Sequence, residues 1–131
     1  MEKDSLVVPL GEHSFSMAQK RKIYFYPKGA IKNLGIKQIF FYRLKPISAI
    51  THYAMVEGHV LAADSLLSFR DKMLTFKDPA KEAAAFKLLE VVSLKEPVPW
   101  VNGNPSLQTR IYASSSTVFK SKTVANLFRA R

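Results

Sequence analysis

Three histidines and ten carboxylates are the residues of this sequence best equipped for acid–base or metal chemistry. The histidines, His13, His52 and His59, do not fall at metal-ligand spacing with other ligands. His52 and His59 are seven apart, which puts them on opposite faces of a regular strand. Asp64, Asp71 and Asp78 repeat every seven residues, but Asp78 follows the end of the helix expected there, so a solvated face explains them better than a dyad. A metal-dependent nuclease needs clustered acids, and the basic segments contain none. Cysteine is absent, which removes thiolate sites, disulfides and a cysteine nucleophile. No glycine-rich phosphate loop, GxSxG or HExxH occurs. The reading is a non-enzyme with no cofactor and no metal.

Cations, by contrast, are abundant and ordered. The net charge is +10. From His13 to Val56 there is no acid, while Lys20, Arg21, Lys22, Lys28, Lys32, Lys37, Arg43 and Lys45 are present. From Glu57 to Glu96 seven acids meet six bases. Beyond Glu96 only bases remain: Arg110, Lys120, Lys122, Arg129 and Arg131. Two basic blocks that a fold brings together make one positive face, which attracts phosphate backbones. Aromatic residues interleave with the first block: Tyr24, Phe25, Tyr26, Phe40, Phe41 and Tyr42. Bases stack on exposed rings while cations hold phosphates. Most of these rings should nonetheless be core. Trp100, in a proline-rich loop, is either a stacking platform or a plug over the end of the sheet.

The elements that position these residues read as a single domain, 1–131, with an irregular lead-in over 1–16 that holds at most a short edge strand at Leu6–Leu10. Gln19–Tyr26 turns from a basic cluster into a strand at Ile23-Tyr24-Phe25-Tyr26, further strands are expected at Gln38–Leu44 and Ile50–Leu61, and one helical turn at Ala30–Leu34. Period two puts Ile50, His52, Ala54 and Val56 on one face of the third strand. Asp64 caps a helix to Phe76, with Leu66, Leu67, Phe69, Met73, Leu74 and Phe76 as its apolar stripe. Ala80–Lys87 is ambiguous between helix and strand. Strands follow at Phe86–Leu94 and Leu107–Ala113, and the prolines of Glu96–Trp100 should end the first of them. A closing helix spans about Thr117–Phe128, with Val118, Phe119, Val124, Leu127 and Phe128 inward. The fold class is α+β, mainly β: five or six mostly antiparallel strands with two or three helices. No apolar run is long enough to span a membrane, and Met1-Glu2-Lys3-Asp4 lacks the plan of a signal peptide, so a cytoplasmic location is expected.

The block Ile39-Phe40-Phe41-Tyr42-Arg43-Leu44-Lys45-Pro46-Ile47-Ser48-Ala49-Ile50-Thr51-His52-Tyr53-Ala54-Met55-Val56 resembles one found in PUA-like domains of the EVE and ASCH kind. Phe86–Leu94 with Glu96-Pro97-Val98, and the segment Ser121–Phe128, resemble that group's later strand, turn and closing helix. The resemblance covers about residues 36–128. It implies a PUA-like pseudobarrel that binds RNA or modified DNA, often with a pocket for one base, and that serves as the recognition part beside a nuclease or helicase, here supplied in trans. It carries Arg43, Lys45, Thr51, His52 and Tyr53 into the site. Tyr42, Tyr53 or Trp100 could stack on a flipped base, and Arg43, Thr51 and His52 could read its edge. His52 can equally be a half-buried strand histidine. The full candidate set is Lys20, Arg21, Lys22, Lys37, Tyr42, Arg43, Lys45, Thr51, His52, Tyr53, Trp100 and Arg110. Two other readings stay open: an enzyme acting on nucleic acid or nucleotide, and a subunit that docks an acidic protein.

Overall fold

In a computed structural model of the chain, residues 4–32, 34–99 and 110–124 are described. The β-branched and aromatic runs form strands, as their preference for a pleated, packed surface dictates. The elements are β1 (Ser5–Leu10), α1 (Glu12–Arg21), β2 (Ile23–Pro27), β3 (Gln38–Arg43), β4 (Ala49–Val60), α2 (Phe69–Thr75), β5 (Ala83–Pro99), β6 (Ile111–Ala113) and α3 (Ser115–Lys120). They build one sheet in the order β2-β5-β4-β3-β1-β6. β1 and β3 run parallel, joined through α1 and β2, and the other neighbours are antiparallel. This is the expected α+β, mainly β class.

β2 and β6 are the two edges of the sheet. Yet Arg110, one residue before β6, donates from Nε to the Tyr24 hydroxyl of β2 at 2.7 Å. The sheet is therefore curled until its edges meet. Leu6, Val8, Tyr24, Tyr26, Ile39, Phe41, Ala54 and Phe86 fill the inside. α3 covers part of the outer face, where Val118 packs with Val7, Phe40, Tyr42, Ile50 and Ile111. A third cluster places Met17 of α1 against Phe25, Leu67, Phe76 and Ala85.

The lead-in over 1–16 is not irregular. β1 is buried and paired on both sides, to β3 and β6, and is not an edge strand. Pro9 is tolerated because β6 pairs only with Ser5–Val7, so nothing there needs the missing N–H. The basic cluster Lys20–Arg21 ends α1, and Lys22 is its left-handed cap at φ 55°, donating its backbone N–H to Ala18. No helical turn forms over Ala30–Leu34 among its described residues, which lie in turns and irregular chain.

The helix expected from Asp64 is split. A 3-10 turn over Asp64–Leu66 ends in extended backbone at Leu67, and Ser68 then caps α2 by accepting from the Asp71 N–H at 3.1 Å. The break rotates the stripe: Leu67 and Phe76 are buried, whereas Phe69 is 72 % exposed and Met73 and Leu74 are 55 % exposed. The ambiguous alanines join β5, which continues through Glu96–Pro99. The prolines fit because β2 flanks β5 only at Ala83–Lys87, and because β4 pairs with Ser93 and then with Val98, leaving Leu94–Pro97 bulged. Leu107–Gln108–Thr109 lie outside the described residues, and the last strand is observed over Ile111–Ala113. α3 stops at Lys120, with Ser114 as its cap. Phe119 is half exposed, Val124 is buried, and Leu127 and Phe128 lie outside the described residues.

Candidate nucleic-acid interface

A cleft of about 1050 Å³ opens where β1 and β3 end, between α1, the segment after α2 and Arg110. Its walls carry Pro9 to Ser14 from the β1–α1 junction, Tyr24, Phe25 and Pro27 from β2, Tyr42, Leu44 and Lys45 from β3 and its turn, and Leu74–Asp78 and Lys81. Four cations, Lys45, Lys77, Lys81 and Arg110, face two acids, Glu12 and Asp78. Glu12 is paired with Arg43, and Asp78 accepts from the Ala80 backbone N–H at 3.1 Å. Lys45 is exposed in a tight turn that holds a cis Lys45–Pro46 bond. Arg110 has its Nε fixed by Tyr24 and its guanidinium 5.7 Å from that ring's centre.

The predicted residues separate into groups. Lys45 and Arg110 share the cleft, with Tyr42 in its wall. Tyr42 is 1 % exposed, too buried to offer a ring face for stacking. Arg43, Thr51 and His52 form a cluster behind α1. The Arg43 guanidinium lies 4.2 Å over the Phe15 ring and pairs with Glu12. Phe15 and His52 are 4.8 Å apart between ring centres. Thr51 Oγ1 meets His52 Nδ1 at 2.7 Å. Burial, and then the Arg43 charge, pulls the His52 pKa below its ordinary value. Tyr53 lies on the opposite face, packed against Phe40 and edge-on to Phe119 at 5.4 Å.

The face assignment of β4 is corrected accordingly. Tyr42 pairs with Ile50 and Phe41 with His52, so Thr51 is an extra residue in a bulge. The bulge reverses the alternation: His52, Ala54 and Val56 stay together, and Ile50 joins the Tyr53 side. Lys20, Arg21 and Lys22 are exposed at the end of α1, away from the cleft walls; Arg21 donates to the Leu66 carbonyl and lies 5.3 Å over Phe25. Lys37 is exposed before β3. Trp100 lies outside the described residues.

Neither protein-family models nor curated proteins give a match to this sequence. Solved structures do. The ASCH protein of Zymomonas mobilis superposes with a TM-score of 0.62 at 15 % identity, over 88 % of this chain and 91 % of that one. Its Ser-to-Ala variant gives 0.62 at 16 % identity, over 86 % and 90 %. The chain has the ASCH fold. That fold is a PUA-like pseudobarrel, in agreement with the curled sheet and the Arg110–Tyr24 closure.

Within this ASCH fold, three cleft residues lie outside the predicted set: His13, Lys77 and Lys81. His13 lines the cleft, and its Nε2 lies 2.9 Å from Asp71 Oδ1. The two are 58 positions apart, and nothing in their local spacing signals the pair. Lys77 and Lys81 sit among Asp78 and Glu82, so the charge balance of the middle segment conceals them. The His13–Asp71 hydrogen bond is the one histidine–carboxylate contact found among the described residues. His52, by contrast, has Thr51 and a cation beside it and no carboxylate partner among them.

Proposed function

We propose that this protein is a nucleic-acid-binding module, non-catalytic by itself, that takes RNA or single-stranded DNA into the cleft. One observation carries the reading: Lys45 from the first basic block and Arg110 from the last line the same cleft. That juxtaposition is what two separated blocks needed in order to act as one phosphate-binding face. Lys77 and Lys81 add to it from the far wall. The rim also offers apolar surface, since the exposed Leu44 and Leu74 are among its walls. In the cell the module would act in the cytoplasm as the recognition part for a nuclease or helicase supplied in trans.

Fluorescence anisotropy with short labelled RNA and DNA strands tests this. Binding is expected at low salt, weakening steeply as salt rises, and Lys45→Glu should cut affinity about tenfold. Absence of binding to several strands at low salt would overturn the reading. A specific observation favours a second one: the His13–Asp71 pair at the cleft has the form of an oriented acid–base group. If strands were cleaved during the incubation, and cleavage were lost in His13→Ala, a nucleic-acid-processing enzyme would replace the binding module.

A further inference from the structure

The inside of the barrel contains an unanswered polar group. Tyr26 is 1 % exposed, and its hydroxyl is buried without a hydrogen-bond partner among the described residues. A buried, unpaired hydroxyl is costly, and native proteins seldom keep one without a use. The ring stacks on Tyr24, with centres 6.2 Å apart. The charge of Arg110 is close enough to act on both tyrosines. Tyr24 and Arg110 are themselves in the cleft wall. Arg110 makes no ion pair with a carboxylate among the described residues.

We propose that Arg110, Tyr24 and Tyr26 form the inner end of the cleft as a subsite for a phosphomonoester, the terminal phosphate of a nucleotide or of a strand. The proposal rests on the nucleic-acid reading of the cleft and adds to it which part of the ligand goes deepest. A phosphate offers only acceptors. The subsite supplies matching donors: the guanidinium N–H groups and the tyrosine O–H. Burial pushes both tyrosine hydroxyls up in pKa, so they remain protonated donors at neutral pH. Tyr26 is not itself in the cleft wall, and a chain end needs less room than a continuous strand to approach a buried hydroxyl. The guanidinium is also pre-aligned: its Nε is committed to Tyr24, which fixes the plane from which the other nitrogens point. Arg110 is partly exposed in the cleft wall beside Tyr24, so an entering phosphate meets its guanidinium first, and the Tyr26 hydroxyl, outside that wall, is the donor it must then reach.

The test compares one ten-nucleotide RNA in three forms: hydroxyl-ended, 5′-phosphorylated and 3′-phosphorylated. Inorganic phosphate and a nucleoside monophosphate are titrated separately, with thermal shift as the readout. At least one phosphorylated end should bind about tenfold more tightly than the hydroxyl-ended strand, the size of a charged hydrogen bond to a buried donor. That preference should vanish in Tyr26→Phe, which keeps the ring and its packing. Arg110→Lys keeps the charge but not the fork, and should lose most of it. Without ligand, Tyr26→Phe should melt at the same temperature as the parent or higher, because only an unpaired group is removed. Equal affinity for all three RNA forms would overturn the phosphomonoester subsite and leave the binding module standing. A thermal shift with phosphate or monophosphate, lost in Tyr26→Phe, but no RNA binding in any form, would overturn the nucleic-acid reading and keep the subsite for a nucleotide. Unchanged end preference in Tyr26→Phe would also overturn the proposal.

Discussion

His52 is a half-buried histidine whose neighbours are a hydroxyl, an aromatic ring and a cation. That environment suits a neutral imidazole. Its pKa is depressed, first by burial and then by Arg43, so protonation costs more in the folded state than in the unfolded chain. The stability contributed by the neutral ring is complete above its ordinary value of 6.5 and is lost as pH falls through the lower, folded-state pKa. The melting temperature should therefore drop between about pH 7.5 and about pH 5, and His52→Gln should drop less over the same interval. An equal drop in the two proteins would show that His52 does not titrate against folding. The sequence held both descriptions of this residue, base reader and strand histidine. What it could not show was Phe15 against the imidazole with Arg43 over Phe15, because α1 was not visible in it.

α1 and β1 were obscured for a physical reason. Pro9 and Gly11 punctuate the segment as a loop would, and the helix has only Phe15, Met17 and Ala18 as buried residues, too few for a clear stripe. The aromatic strands β3 and β4 were legible, because their runs match core-strand length and pattern. Their mutual register was not, because the bulge at Thr51 depends on the partner strand. At α2 the converse holds: helical spacing implies burial, but the break at Leu67 turns Phe69, Met73 and Leu74 outward. Two leucines separate these cases. Leu6 in β1 is fully buried, and Leu6→Ala should cost about 2–5 kcal/mol in denaturant unfolding. Leu74 is 55 % exposed, and Leu74→Ala should stay within about 0.5 kcal/mol of the parent. Comparable losses at both positions would mean that α2 packs its apolar face against something in the folded protein.

At the scale of the whole molecule, the question is whether +10 of net charge is spread evenly or focused. The curl of the sheet answers it geometrically. Sheet order places β6 next to β1, and the curl brings its leading Arg110 to β2, so Arg110 meets the lysine turn after β3 at one opening. Lys45 and Arg110 were legible as members of basic blocks; their meeting was not, since it depends on the parallel β1–β3 pair and the closure. Focused charge has a measurable signature. Each cation that neutralises a phosphate contributes about one unit to the slope of log affinity against log salt. Lys45→Ala and Lys77→Ala should each lower that slope by about one, and the double variant by about two, because the residues occupy different walls of one cleft. Lys37→Ala, exposed before β3 and outside those walls, should leave the slope nearly unchanged. A uniform small effect from all three lysines would show that binding follows net charge and not the cleft.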